Sequence, residues 1–236
     1  MTRTMTILSI LLSFTLCANA QSSGQRAGKQ PEQQKTKQES PKSYKECPDA
    51  NHPHMIDLGL PSKTKWACCN VDADKPEDKG GYFSWGETNE KTTYNWTTYT
   101  LCEGSPSTCQ NIGSEISGKP YDVAHVKWGG SWRMPTFNQL KELLDNCTYE
   151  WTTCNGVNGG KFTSKKNGAS IFLPAAGNRW GDYPNYVGST GYLWTSTQIP
   201  SYAHSAYFLE FNSDGAKWGN GNYGRSFGLN IRPVSK

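Results

Sequence analysis

The apolar residues of this 236-residue chain fall in short runs, and each run is closed off by Gly, Pro or Asn. Short apolar runs bounded by turn residues are typical of β-strands, and they leave little room for long helices. The candidate strands are residues 55–58, 64–71, 82–85, 168–173, 193–197, 205–211 and 229–234. The sequence therefore predicts many short strands joined by long irregular loops.

One segment carries a complete helix-start signal. Thr136 can cap the amide three residues ahead, and Gln139 stands where its side chain can reach back, as in a capping box. The apolar residues that follow recur at spacings of three and four, which predicts a helix with one buried face. They are Phe137, Leu140, Leu143, Leu144 and Cys147. With a second short helix expected at residues 121–126, the sequence predicts an α+β fold.

Composition excludes several classes of protein. Mean hydropathy is −0.72 and 35% of residues are hydrophobic, values that exclude a multi-span membrane protein. Aromatic residues make up 12% of the chain, more than a fully disordered chain contains. Charged residues make up 19%, and a coiled coil would need far more Ala, Glu, Lys and Leu.

The first 45 residues are expected to lie outside the folded domain. Residues 1–20 have the form of a signal peptide, with Arg3, an apolar stretch and the small-residue cleavage site Ala18-Asn19-Ala20. Residues 21–45 are rich in Gln, Lys, Ser and Pro and are predicted to be a disordered tether. The domain is then residues 46–236, in a protein exported to the periplasm, the cell surface or the medium, with no transmembrane segment in the mature chain.

The net charge of +4 belongs to these N-terminal segments. Residues 21–46 carry six basic and three acidic side chains and Arg3 adds one more charge, so residues 47–236 balance at 17 basic and 17 acidic. A neutral domain gives no electrostatic reason to expect a nucleic-acid partner. We expect a glycan or a surface protein as ligand, and the sequence leaves the oligomeric state open.

An exported chain with eight cysteines is expected to contain disulfides. Two pairs are each separated by six residues and could close local loops, Cys102 with Cys109 and Cys147 with Cys154. The second pair has an alternative, a bridge from Cys147 to one of the adjacent cysteines at positions 68 and 69. An odd number remains after the signal peptide, so one thiol is left over or pairs with another molecule.

No catalytic or metal-binding motif stands out. The chain lacks a G-x-S-x-G elbow, a phosphate-binding Gly-Lys-Ser/Thr loop and an H-E-x-x-H helix. His52-Pro53-His54 lies near Cys47, but a structural zinc site normally needs two paired ligand clusters. We therefore expect neither a metal nor a cofactor, and a domain that is not an enzyme.

Residues 177–236 are the most informative part of the chain, with three Trp, six Tyr, three Phe and nine Gly. In two segments, 178–183 and 217–225, aromatic residues of exposed type stand among Gly, Asn and Arg. Rigid rings combined with small polar groups are typical of recognition surfaces. The predicted ligand-binding residues are Arg179, Trp180, Tyr183, Trp218, Asn220, Asn222, Tyr223 and Arg225.

A family resemblance rests on motifs in chain order from residue 57 to residue 234. They are Asp57-Leu58-Gly59-Leu60-Pro61-Ser62, Thr64-Lys65-Trp66-Ala67, Tyr82-Phe83-Ser84-Trp85-Gly86-Glu87-Thr88, Trp128-Gly129-Gly130-Ser131-Trp132-Arg133-Met134-Pro135-Thr136, Phe172-Leu173-Pro174-Ala175-Ala176-Gly177, Gly191-Tyr192-Leu193-Trp194-Thr195-Ser196 and Ile231-Arg232-Pro233-Val234. In these motifs the chain resembles the Fibrobacter succinogenes major paralogous domains of Bacteroidetes. The Trp-Arg-Met-Pro-Thr element also resembles the helix start of formylglycine-generating enzymes, which implies a C-type lectin-like fold.

The resemblance carries expectations about function. The fold implies that the first and last strands lie together and that a long loop region carries the ligand, with Arg133 partly buried at the helix start. No cysteine follows Cys154, so the copper-binding pair of formylglycine-generating enzymes is absent, and the calcium motifs of animal lectins are absent too. We therefore expect a non-catalytic recognition or adhesion domain. The alternatives are a structural subunit of a surface appendage and an enzyme of the formylglycine-generating type.

Overall fold

The computed structural model describes residues 54–219 and 223–236. The predicted signal peptide and tether, His52 and Cys47, and the predicted ligand residues Asn220 and Asn222 lie outside the described residues. Within them the protein is mixed and rich in small antiparallel sheets, with two short α-helices, so the α+β prediction is confirmed. No described helix has the length and apolar character needed to cross a bilayer.

Four small sheets make up the strand content. Their strands are β1 (Met55–Asp57), β2 (Lys65–Ala67), β3 (Cys147–Cys154), β4 (Val157–Ser164), β5 (Ser170–Pro174), β6 (Asn178–Trp180), β7 (Tyr183–Asn185), β8 (Thr190–Gln198), β9 (Ala206–Asn212), β10 (Gly215–Gly219) and β11 (Val234–Ser235). The sheet orders are β1-β2-β11, β3-β4-β5, β6-β7 and β10-β9-β8, and every pairing is antiparallel. Because β11 pairs with β2, the last strand returns to the first two, as the resemblance implied.

The helices begin where side chains cap them. Helix α2 (Phe137–Asn146) starts with the predicted capping box, in which Thr136 and Gln139 satisfy each other's backbone groups. Helix α1 (Val123–Trp128) begins two residues later than expected, because the buried carboxylate of Asp122 caps it. Arg133 is half-buried and exchanges backbone hydrogen bonds with Val234, which confirms its expected place near the start of α2.

The sheet β8–β10 separates two cores. One face carries Leu193, Leu209 and Phe211 towards α2 and the sheet β3–β5. The opposite face carries Tyr192, Trp194 and Phe208 towards a second cluster that includes Trp85 and residues of the loops. Two sets of side chains on opposite faces of one sheet therefore belong to different environments, which matters for the site described below.

Residues 82–85 do not form a strand, residues 229–234 form one only in part, and the hairpins β3–β4 and β6–β7 were not predicted. Residues 82–85 pair through an isolated bridge between Phe83 and Leu229, whereas Asn230 forms a bridge with Leu193 and Val234 belongs to β11. Hairpin β3–β4 has eight residues in each strand, joined by Asn155-Gly156. Both turn residues have positive φ, 48° and 82°, as a type I′ hairpin turn requires.

This hairpin corrects the second predicted disulfide. Cys147 and Cys154 are the first and last residues of β3, so an extended strand holds them about 23 Å apart at about 3.3 Å per residue. That span is far beyond the reach of a disulfide. Cys147 is buried without a disulfide, which also excludes its alternative bridge to position 68 or 69, and burial raises its pKa to about 11. The other local pair, Cys102 and Cys109, is joined.

Candidate functional site

Hairpin β6–β7 presents the most exposed group of aromatic side chains in the described chain. Trp180 and Tyr183 are directly opposite each other across the hairpin, so they share one of its faces. Trp180 is 40% exposed and Tyr183 is 77% exposed. Tyr186, in the turn that follows β7, is 60% exposed and was missed at the sequence level. Like Tyr183, Tyr186 is an aromatic residue among turn residues, and it stands three positions further along the chain.

The hairpin is held by backbone hydrogen bonds at two places, on strand β6 and at the turn that follows it. Gly181 and Tyr94 exchange bonds of 2.7 and 2.9 Å, and Arg179 and Gly228 exchange bonds of 2.8 and 3.0 Å. Gly181 has a φ of 72° at the first position of the two-residue turn, where a type II′ turn favours glycine. The exposed rings therefore stand on a backbone whose position is fixed.

Tyr186 lies in a conformation that bulky residues rarely adopt, with a φ of 60°. Its carbonyl accepts hydrogen bonds from the amides of Ser189 and Thr190, which hold the turn in place. Strained backbone of this kind costs about 1–3 kcal/mol and tends to occur at functional sites. This observation adds Tyr186 to the exposed surface beside Trp180 and Tyr183.

A chain of ring contacts connects the hairpin to the β8–β10 sheet. Trp180 stacks on Phe227 at 4.3 Å, Phe227 meets Tyr223 at 4.9 Å, and Tyr223 meets Tyr192 at 5.0 Å. Tyr223 is half-buried, and its hydroxyl oxygen accepts a hydrogen bond from Asn178 Nδ2 at 3.2 Å. We call this group of rings the aromatic face; it consists of Trp180, Tyr183, Tyr186, Tyr223 and Phe227, with the buried Tyr192 at its base.

Burial raises the pKa of Tyr192 and of Tyr223 above the ordinary tyrosine value, and the nearby carboxylate of Glu210 raises both further. Desolvation and a neighbouring negative charge both disfavour the tyrosinate form. Both hydroxyls therefore stay protonated at neutral pH and remain able to donate hydrogen bonds.

Trp218 does not belong to the aromatic face. It is directly opposite Leu209 on β9, so it points to the other face of the sheet, towards α2. There it makes edge contacts with Phe137 at 5.3 Å and Tyr207 at 6.0 Å, and it is 42% exposed. The sequence prediction placed Trp218 and Tyr223 in one site because they are close along the chain. The alternation of side chains along the strands puts Trp218 on the face opposite Tyr192, which Tyr223 contacts.

Arg225 is corrected as well, because its side chain is 0% exposed and cannot meet a surface ligand. Its Nε donates to the Tyr99 hydroxyl at 2.8 Å, and Nη1 donates to the carbonyls of Ala203 at 2.9 Å and Gln110 at 3.3 Å. The guanidinium also lies 4.6 Å from the ring centre of Trp85. Arg225 therefore stabilises the loops beneath the site.

Arg179 lies on the face of the hairpin opposite Trp180. Its Nη2 donates to the carbonyls of Asp182 at 2.5 Å and Thr92 at 3.2 Å, and its guanidinium lies 5.3 Å from the ring centre of Tyr94. These contacts place Arg179 in the support of the hairpin. It borders an open depression of about 690 Å³ that is lined by Glu90, Lys91, Thr92, Thr93, Arg179 and Asp182.

The described residues offer no cluster of metal ligands. In residues 54–219 and 223–236, no three His, Cys, Asp or Glu side chains are grouped as metal ligands. Comparisons with protein-family models, with curated proteins and with solved structures find no match to this chain. The geometry of the aromatic face is therefore the basis of the function proposed below.

Proposed function

We propose that this chain is an exported, non-catalytic recognition domain that binds glycans through Trp180 and Tyr183. The single observation that supports the proposal is the pair of exposed rings, directly opposite each other on a hairpin whose backbone is anchored at β6 and at the turn. Such a platform offers two neighbouring flat apolar surfaces to the C–H faces of sugar rings. The resemblance to Fibrobacter succinogenes major paralogous domains supports a C-type lectin-like scaffold for this platform.

A rigid platform favours this proposal over a site that folds on binding. Immobilising side chains and loops on association weakens binding, and a pre-formed surface avoids that cost. One face of the Trp180 ring is already covered by Phe227, so the ring's orientation is fixed before a ligand arrives. A ligand that stacks on Trp180 therefore approaches the ring face that Phe227 leaves uncovered.

The test compares two tryptophans of nearly equal exposure. The full chain, a Trp180→Ala/Tyr183→Ala variant and a Trp218→Ala variant are applied to an array of neutral and acidic oligosaccharides, with an array of surface proteins alongside. Loss of two central aromatic contacts is expected to weaken glycan binding at least about tenfold. Trp218→Ala, which removes similar exposed area from the other sheet face, is expected to bind as the unaltered chain does.

Folding of the variants is checked by circular dichroism and thermal unfolding. Because Trp180 also stacks on Phe227, a single Tyr183→Ala variant provides an independent test, since that side chain is 77% exposed. Glycan binding that survives in folded Tyr183→Ala and Trp180→Ala chains contradicts the proposal. Binding only to proteins would replace the glycan by a protein ligand.

A further inference from the structure

Three side chains stand in a row across the sheet beside the aromatic face. Lys217 on β10 is directly opposite Glu210 on β9, and Glu210 is directly opposite Tyr192 on β8. Directly opposed residues of antiparallel strands share one face, so all three project to the side where Tyr192 meets Tyr223. The row therefore extends the aromatic face with a carboxylate and an ammonium group.

The carboxylate of Glu210 has free acceptor capacity. Its side chain is 23% exposed, and the Nζ atom of Lys217 lies 3.8 Å from Oε1, longer than a normal hydrogen bond. Among the described residues no other charged group pairs with Glu210, and its carboxylate accepts no hydrogen bond. A carboxylate offers about four lone-pair sites, and partial burial removes some of the water that would fill them.

Tyr223 supplies the complementary donor. Its hydroxyl oxygen accepts from Asn178 and from the hydroxyl of Tyr192, which leaves the Tyr223 proton for a further acceptor. A sugar hydroxyl can accept from a tyrosine and donate to a carboxylate at the same time, and a neighbouring hydroxyl can donate to the second carboxylate oxygen. An acidic sugar at the same place would bring its negative charge against Glu210.

We propose that Glu210 and Tyr223 form the polar subsite of the aromatic face and select glycans that present two neighbouring hydroxyl groups and carry no negative charge. This inference rests on the proposed glycan binding at Trp180 and Tyr183. Glu210 is then a specificity-determining residue, and Lys217 lies at the outer end of the row with 72% of its side chain exposed.

The experiment measures the affinity of the full chain for cellohexaose, mannohexaose and xylohexaose as neutral probes and for hexagalacturonic acid as the acidic probe. We expect the unaltered chain to bind at least one neutral probe and to bind the acidic probe at least tenfold more weakly. Glu210→Gln keeps the shape of the side chain and removes its charge. It should weaken neutral binding about tenfold or more and narrow the difference between neutral and acidic probes.

Two control variants separate the carboxylate from its surroundings. Lys217→Met breaks the same ion pair and leaves the carboxylate, so its neutral binding should stay within about twofold of the unaltered chain. Glu150→Gln removes an exposed carboxylate from β3, remote from the row in sequence and on another sheet, and should have no effect.

Each outcome decides one of the two proposals. If Glu210→Gln binds all probes as the unaltered chain does while Trp180→Ala/Tyr183→Ala loses binding, the subsite is wrong and the platform stands. A preference of the unaltered chain for hexagalacturonic acid also overturns the subsite. If the unaltered chain binds no probe, or the platform variants bind normally, the glycan function fails and the subsite fails with it.

Discussion

Arg225 joins four separate loops through a single buried side chain. Its guanidinium reaches Tyr99, Gln110 and Ala203, and its own backbone bonds with His204 and Trp85. No carboxylate pairs with it among the described residues, so carbonyl oxygens and two aromatic rings stabilise its charge. The residue type that suggested a ligand contact in the sequence instead holds the loops in place.

We predict that Arg225→Met lowers the free energy of unfolding by about 3 kcal/mol, because the carbonyls it serves lose their donor and stay buried. Urea unfolding of the purified chain measures the change. Arg133→Met is the matched control, since the Arg133 guanidinium has one long contact of 3.4 Å to the Ser131 carbonyl. A change below about 0.5 kcal/mol is expected there. Equal losses in both variants would contradict the role assigned to Arg225.

At the scale of elements, sequence signals succeeded where a local motif fixes the structure. The capping box predicted the start of α2, and the turn residues Asn212-Ser213-Asp214-Gly215 indicate the hairpin β9–β10 that the structure has. The hairpin β3–β4 was not predicted, although Asn155-Gly156 is a strong type I′ signal, because the expected disulfide between Cys147 and Cys154 would make this segment a closed loop. The two sides of the β8–β10 sheet could not be assigned, since strand faces depend on a register that the sequence alone does not fix.

The turn of β3–β4 gives a prediction at this scale. Gly156 has a φ of 82°, and a Cβ atom there would meet nothing within 4 Å, so a substitution acts through the backbone alone. We expect Gly156→Val to lower the free energy of unfolding by about 1–2 kcal/mol, the cost of a left-handed conformation for a residue with a Cβ atom. Gly156→Asn should cost less, because asparagine tolerates this region. Urea unfolding of both variants checks the order, and equal losses would contradict it.

Across the whole molecule, buried aromatic donors bond to distant carbonyl oxygens and hold loops where strand pairing is sparse. The hydroxyls of Tyr82, Tyr94 and Tyr99 donate to the carbonyls of Ala176, Tyr82 and Trp85, respectively. The indole groups of two tryptophans do the same, with Trp85 Nε1 donating to Thr195 and Trp194 Nε1 to Phe83. A long irregular loop region can thus be well ordered with few strands.

These tyrosines predict a loss of stability in alkali. Burial raises the pKa of Tyr82 and of Tyr149 to about 12, and it also raises the pKa of Tyr94 and Tyr99. A tyrosine whose pKa is raised by folding contributes its full stabilisation below the unfolded pKa, which is near 10. This contribution to the free energy of unfolding is lost as pH rises through the folded pKa. The free energy of unfolding should fall from about pH 10, by about 1.4 kcal/mol per pH unit for each tyrosine that stays protonated.

Urea unfolding between pH 8 and pH 12, with tyrosinate absorbance followed in parallel, measures this effect. Tyr82→Phe removes one titrating hydroxyl, so the free energy of unfolding should fall by about 1.4 kcal/mol less per pH unit. A free energy of unfolding that is constant from pH 9 to pH 12 would contradict the assignment.

The two backbone anchors of hairpin β6–β7 should also slow amide hydrogen exchange in the hairpin. The amides of Arg179 and Gly181 donate to carbonyls of neighbouring segments directly beneath rings that solvent reaches freely. Their hydrogens can exchange with deuterated water only when those segments separate. The amide hydrogens of Arg179 and Gly181 are therefore expected to exchange as slowly as those of buried strands, although the rings above them are open to ligands. Ligand binding should slow their exchange little further.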